Sequence, residues 1–149
     1  MNEIDLAALP AAERDNVVRG LERVARQVGA VQSGVLDSID RDGLYAEDAY
    51  WSAKTMIRHL GQLSNVEAMH RDRVARALRD LPITRDSYRR GDIGDCQVRR
   101  LARTWANPRV RELLVDAEAH LVDIARTESY QWFADAVTHR DRGPLGKAI

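Results

Sequence analysis

The stretch from Ser52 to Leu81, SAKTMIRHLGQLSNVEAMHRDRVARALRDL, decides how the rest of the chain is read. Ser64 is followed three residues later by Glu67, the spacing of a capping box. The serine oxygen can accept the backbone N–H of Glu67, and the glutamate can reach back to the N–H of Ser64. A helix is therefore expected from Asn65 to about Asp80, ending before Leu81-Pro82 because proline disfavours a helical residue in front of it. Upstream, Ser52 to Leu60 forms a short amphipathic segment stopped by Gly61, with Met56, Ile57 and Leu60 expected to face inward. Gly61-Gln62-Leu63 then becomes a tight connection, and the two helices have the outline of a helix-turn-helix.

Working outward, the segment from Ser52 to Arg103 holds twelve cations against six anions, while the whole chain of 149 residues has equal numbers of each. The balanced total gives no global attraction to phosphate, so any such attraction is local. A second helix carrying His70, Arg71, Arg73, Arg76 and Arg79 outside an apolar face of Val66, Val74, Ala75 and Leu78 has the charge needed by a helix that enters a DNA groove. In that reading Asn65, His70 and Arg71 approach base edges, and Arg73, Arg76, Arg89 and Arg90 meet phosphates, with double-stranded DNA as the partner. The competing reading is a solvated face with local Arg/Asp pairs, since Asp72 and Asp80 lie close by.

Toward the N-terminus, Val17, Leu21, Val24, Val28, Val31, Val35 and Ile39 recur in steps of mostly three and four. They predict one long amphipathic helix from about Ala12 to Asp42, stopped by Gly43. Its stripe is expected to pack against the rest of the domain. The near-heptad spacing also permits a homodimer seam. Tyr50 and Trp51 are expected to plug the core before the next helix.

Toward the C-terminus, a short helix is expected from Thr84 to Arg90, closed by Gly91, and another from Asp95 to Trp105. Asn107-Pro108 has the form of a capping residue with proline at the first helical position, so a helix carrying Val110, Leu113, Leu114, Ala117, Leu121 and Ile124 inward should begin there. A last helix spans Ser129 to His139 with Trp132, Phe133, Ala136 and Val137. Residues 1–11 read as a lead, 12–139 as one helical domain and 140–149 as a mobile tail. An aromatic content of 5% and sparse glycine and proline fit packed helices better than a sheet. The expectation is an all-α, single-domain bundle of about six or seven helices with a long N-terminal helix and a helix-turn-helix-like core.

No catalytic centre is evident. Glu67 and His70 form one Glu-x-x-His pair, whereas a di-iron bundle needs two. The four histidines are scattered, and the single cysteine, Cys96, supports neither a disulfide framework nor a thiolate metal site. Neither metal nor cofactor is expected. The acidic start and the lack of a long apolar run predict no signal peptide and no membrane span, hence a cytoplasmic protein.

The run Leu63-Ser64, Glu67-Ala68, Arg73 to Pro82, Gly91-Asp92-Ile93 and Val98 to Ala102 resembles the domain-of-unknown-function family numbered 222. The likeness extends more loosely over Trp51-Ser52 and from Asn107 to about Val137. That family is abundant in actinobacteria, and its members commonly continue into an HNH endonuclease domain. The resemblance implies a helical domain that binds DNA or positions a nuclease without cutting DNA itself. An HNH centre needs histidines and an asparagine on a metal-holding hairpin and helix, and residues 140–149 do not supply them. Two further expectations stand beside this one: a protein-interaction module pairing through the first helix, and the remnant of an HNH enzyme.

Overall fold

Proline, glycine and serine set most of the helix boundaries. The computed structural model describes residues 5–141, and all secondary structure among them is helical. After a 3-10 turn at Leu6–Ala8 come α1 (Ala11–Asp42), α2 (Leu44–Glu47), α3 (Ala53–Leu60), α4 (Asn65–Asp80), α5 (Pro82–Arg90), α6 (Asp95–Trp105), α7 (Arg111–Thr127) and α8 (Tyr130–Asp141). Gly43 closes α1 in the left-handed conformation (φ +67°), its N–H bonded to the Ile39 carbonyl, a position where a side chain would be strained. The one-turn α2 had no separate sequence signal. Residues 142–149 of the expected tail, and 1–4 of the lead, lie outside the described residues, while Arg140 and Asp141 continue α8.

Helices α1, α3, α4 and α5 form one layer and α6, α7 and α8 the other, joined through α4 on α6 and α5 on α7. The main core lies between them: Val74, Ala77 and Leu78 from α4, Leu101 from α6, Leu114 and Leu121 from α7, and Phe133 and Val137 from α8, all buried. Burial on this scale is the main favourable term for the fold. A smaller cluster, Leu36, Ala53 and Ala75 with half-buried Ile39, Tyr45 and Ile57, fixes α3 against α1 and α4. One buried polar tie crosses the layers. The carboxylate of Glu118, almost fully buried, accepts the backbone N–H of Thr84 at 2.7 Å and satisfies a donor in the first turn of α5.

The stripe of α1 reverses the sequence expectation. Leu21, Val24, Val28, Val31 and Val35 are 51% to 65% exposed and face away from the domain. The docked face is made instead of Gly29, Ala30, Ser33 and Leu36, together with polar groups. Arg26 donates to the carbonyls of Gly91 and Asp92 at 3.3 and 3.2 Å, and Asp37 and Asp40 receive Arg79. Small residues let α5 approach closely, and ion pairs hold α4. The helix therefore docks through its weakly apolar side.

Smaller corrections have similar causes. Trp51 is 93% exposed, and Tyr50 turns to His59 Nδ1 at 2.5 Å, because Ala53 fills the core position. Leu60, Leu113 and Trp132 are exposed rather than inward, and Ile124 is only partly buried. At Asn107-Pro108 the side chain of Asn107 accepts Arg109 N–H at 3.1 Å and its carbonyl accepts Val110 N–H at 3.2 Å. This Asx turn delays the helix to Arg111.

Candidate nucleic-acid interface

The connection between α3 and α4 follows the sequence reading closely. Ser52 caps α3 by accepting Thr55 N–H at 3.1 Å, and Ser64 caps α4 by accepting Glu67 N–H at 3.1 Å. Each satisfies one of the orphan donors at a helix start. The left-handed residue of the turn is Gln62 (φ +51°). Gly61 is needed for a different reason: a Cβ there would meet the Ile57 carbonyl at 2.9 Å.

The capping box forms only in part. The Glu67 carboxylate turns instead to two guanidiniums. Arg99 of α6 grips it with both terminal nitrogens, at 3.0 and 2.7 Å, and Arg71 Nε donates to it at 2.8 Å. The Arg99 hydrogen bonds, followed by the Arg71 bond, outweigh desolvation and lower the carboxyl from the usual carboxylate range to about 2, while the same contact raises Arg99. Two-pronged, charge-assisted pairing of this kind fixes geometry as well as charge. Glu67 thus ties α4 to α6.

Because the folded pKa lies below the unfolded value of about 4.3, this contact contributes stability above that value and loses it as pH falls toward 2. Glu67→Gln is expected to lower the urea midpoint at pH 7. The gap between variant and parent should close as pH falls from about 5 to about 2. A gap independent of pH over that range would mean that the carboxylate charge contributes nothing.

Other candidate cations are also engaged within the chain. Arg76 pairs with Asp72 at 3.1 Å, and Arg90 with Asp92 at 2.9 Å. Asn65, exposed at the start of α4, accepts Arg58 Nη1 at 2.6 Å. His70 is half-buried on α4. Arg79 bridges Asp40, at 2.7 Å, and Asp37 on α1, and its pKa rises through these bonds, Asp37 first. Among the described residues, Arg73 and Arg89 have no carboxylate within ion-pair distance. Arg73 lies 4.0 Å from Met69 Sδ. Arg89 lines a cleft of about 190 Å³ between α1, α4 and α5 with Arg41, Arg79 and Arg85.

The seven candidate residues lie on two helices, α4 and α5, and Arg71, Arg76 and Arg90 are engaged by carboxylates of this chain. Helix α4 is packed on by α1, α3, α5 and α6, and its outward stripe reads Val66, Met69, Arg73, Arg76. Val66, expected in the core, belongs to that stripe and is 59% exposed. A helix that reads the major groove presents a polar, cationic face to base edges; this stripe mixes two apolar side chains with Arg73 and with Arg76, which Asp72 already pairs.

Sequence reasoning missed the tie of Glu67 to Arg99 and the pairing of Tyr88 with Asp95. Tyr88, buried on α5, donates its hydroxyl to Asp95 Oδ1, and its pKa rises, first through burial and then through that bond. Both contacts join residues in different helices, for which spacing gives no signal. Among the described residues, no group of three His, Cys, Asp or Glu side chains could hold a metal ion, and no helix is long and apolar enough to cross a membrane.

Comparison with curated proteins and with solved structures finds no match. The Ser64–Glu67 cap, the Leu81-Pro82 junction between α4 and α5 and the Gly91-Asp92-Ile93 step into α6 all fall within residues 15–139, which match the family described as Domain of unknown function (DUF222), and the chain belongs to that family.

Proposed function

We propose that this domain is a non-catalytic interaction module that assembles through α1. The observation that carries this reading is the outward stripe of α1: five large aliphatic side chains, each more than half exposed, on a helix whose opposite face is already docked. Contiguous apolar patches larger than a few hundred Å² are rare on monomeric domains and mark interaction sites. An arrangement that satisfied only this chain would have turned the stripe inward. Sedimentation of the purified chain over a concentration series tests the reading: mass should rise with concentration, and a single low mass at every concentration overturns self-assembly. In relatives that continue into an HNH domain, such assembly would bring two nuclease modules together.

DNA contact is the second reading, favoured by the capped α3–α4 pair and by Arg73 and Arg89, which no carboxylate among the described residues neutralises. Affinity for a random-sequence duplex should then fall as salt rises, with a slope shallower by about two in the folded Arg73→Ala/Arg89→Ala variant, one per phosphate contact. An unchanged slope removes these two arginines from any phosphate contact.

A further inference from the structure

Resting on the interaction reading, we infer that the partner of α1 is a second copy of α1 running antiparallel, with the two-fold axis passing beside residue 26. The seam Val17, Leu21, Val24, Val28, Val31, Val35 steps 4, 3, 4, 3, 4, the alternation of a and d positions in a two-stranded coil. In an antiparallel coil each a side chain faces a d side chain. Taken about residue 26, the six positions then pair completely among themselves: Val17 with the partner's Val35, Leu21 with the partner's Val31, and Val24 with the partner's Val28. A two-fold contact requires this self-complementarity, in which the same patch serves both copies.

Charge selects the antiparallel direction. The seam is bounded by Arg14 at an a position before Val17 and Asp42 at an a position after Val35. Neither makes an ion pair among the described residues. Parallel pairing would set Arg14 against Arg14 and Asp42 against Asp42. Antiparallel pairing places Arg14 within one turn of the partner's Asp42, and sets each helix N-terminus against the partner's C-terminal end, as the helix dipoles favour.

The flanks fit the same register. The positions beside the seam are uncharged: Val18, Ala25 and Gln32 on one side, Gly20, Gln27 and Gly34 on the other. Gly20 and Gly34 have nothing within 4 Å of where a Cβ would stand, so packing within the chain does not explain two residues that weaken a helix. In this register Gly20 lies on the same flank as the partner's Gly34, offset by two residues or about 3 Å along the axis, where missing side chains let the two backbones approach. With these flanks the contact runs for about five turns, roughly 27 Å, and approaches the area of about 800 Å² per partner typical of a stable interface.

Dipolar electron spin resonance on the full chain tests the register, with exposed Cys96 replaced in Cys96→Ser and a nitroxide on Ala12→Cys or Arg19→Cys. At 1.5 Å per residue, antiparallel pairing about residue 26 separates the labels along the axis by about 42 Å at position 12 and about 21 Å at position 19. Two distances differing by roughly 20 Å support the inference. Similar short distances below about 20 Å at both sites mean parallel pairing and overturn the register while leaving assembly standing. Absence of a dipolar signal at concentrations where sedimentation gives a dimer places the contact elsewhere than α1. A monomer in both measurements overturns assembly itself.

Discussion

Val24→Glu/Val28→Glu is expected to convert the assembled chain to monomers without unfolding it. The two positions meet across the seam, so four carboxylates would face one another in its two central layers. Burying unpaired like charges costs several kcal/mol, which corresponds to a weakening of at least about 100-fold in the dissociation constant. Val24 and Val28 are 56% and 51% exposed, and surface substitutions of this kind change domain stability by only about 0.5 kcal/mol. Sedimentation should therefore shift to monomer while the helical signal and the unfolding midpoint at low concentration stay near those of the parent. A double variant that unfolds would instead mean that the stripe packs inward, as periodicity alone suggests. One that folds and stays dimeric would remove α1 from the interface.

That contrast separates what the sequence makes legible from what it hides. Local signals placed the elements: Ser52 and Ser64 cap their helices, Leu81-Pro82 ends α4, with α5 starting at Pro82 rather than at the expected Thr84, and Gly43 and Gly91 close α1 and α5 in the left-handed conformation. Each of these involves atoms a few residues apart, so spacing carries the information. The faces were less legible. Periodicity reports that α1 has an apolar side, but which side docks depends on what α4 and α5 offer. They offer Arg79, to be met by Asp37 and Asp40, and the buried Tyr88 hydroxyl, to be met by a helix without a side chain at Gly29.

The cation excess around the candidate DNA site was legible as composition, and its pairing within the chain only in part. Twelve cations between Ser52 and Arg103 are visible in the sequence, but their neutralisation is only half local. Arg76 finds Asp72 one turn away, a pair that spacing predicts. Arg99 finds Glu67 across the α4–α6 contact and Arg79 finds α1, and no spacing rule anticipates either. Charge counting overstates the cation excess available to a partner wherever pairing is tertiary.

The docking of α1 on α5 gives the second large effect, best read in the monomeric Val24→Glu/Val28→Glu background so that assembly does not enter. Gly20 and Gly29 lie in the interior of the same helix, so alanine at each gains the same propensity, but only at Gly29 does the new methyl meet a packed neighbour. At Gly20 an added Cβ meets open space, so Gly20→Ala gains about 1 kcal/mol of helix propensity. At Gly29 the Cβ would fall on the Tyr88 hydroxyl and come within 2.7 Å of Asp95 Oδ1. Tyr88 is 3% exposed and held by Asp95, so it cannot swing aside, and overpacking of this kind costs about 1–3 kcal/mol. Gly29→Ala gains the same helix propensity, so the two alanines should differ by the overpacking cost alone, about 1–3 kcal/mol in urea unfolding. Adding Tyr88→Phe to Gly29→Ala removes the oxygen nearest the new methyl, so the pair should be more stable than the sum of the single changes predicts. Additive effects would mean that α1 and α5 do not meet at Gly29, and equal effects at Gly20 and Gly29 would mean that the docked face of α1 has been assigned to the wrong side of the helix.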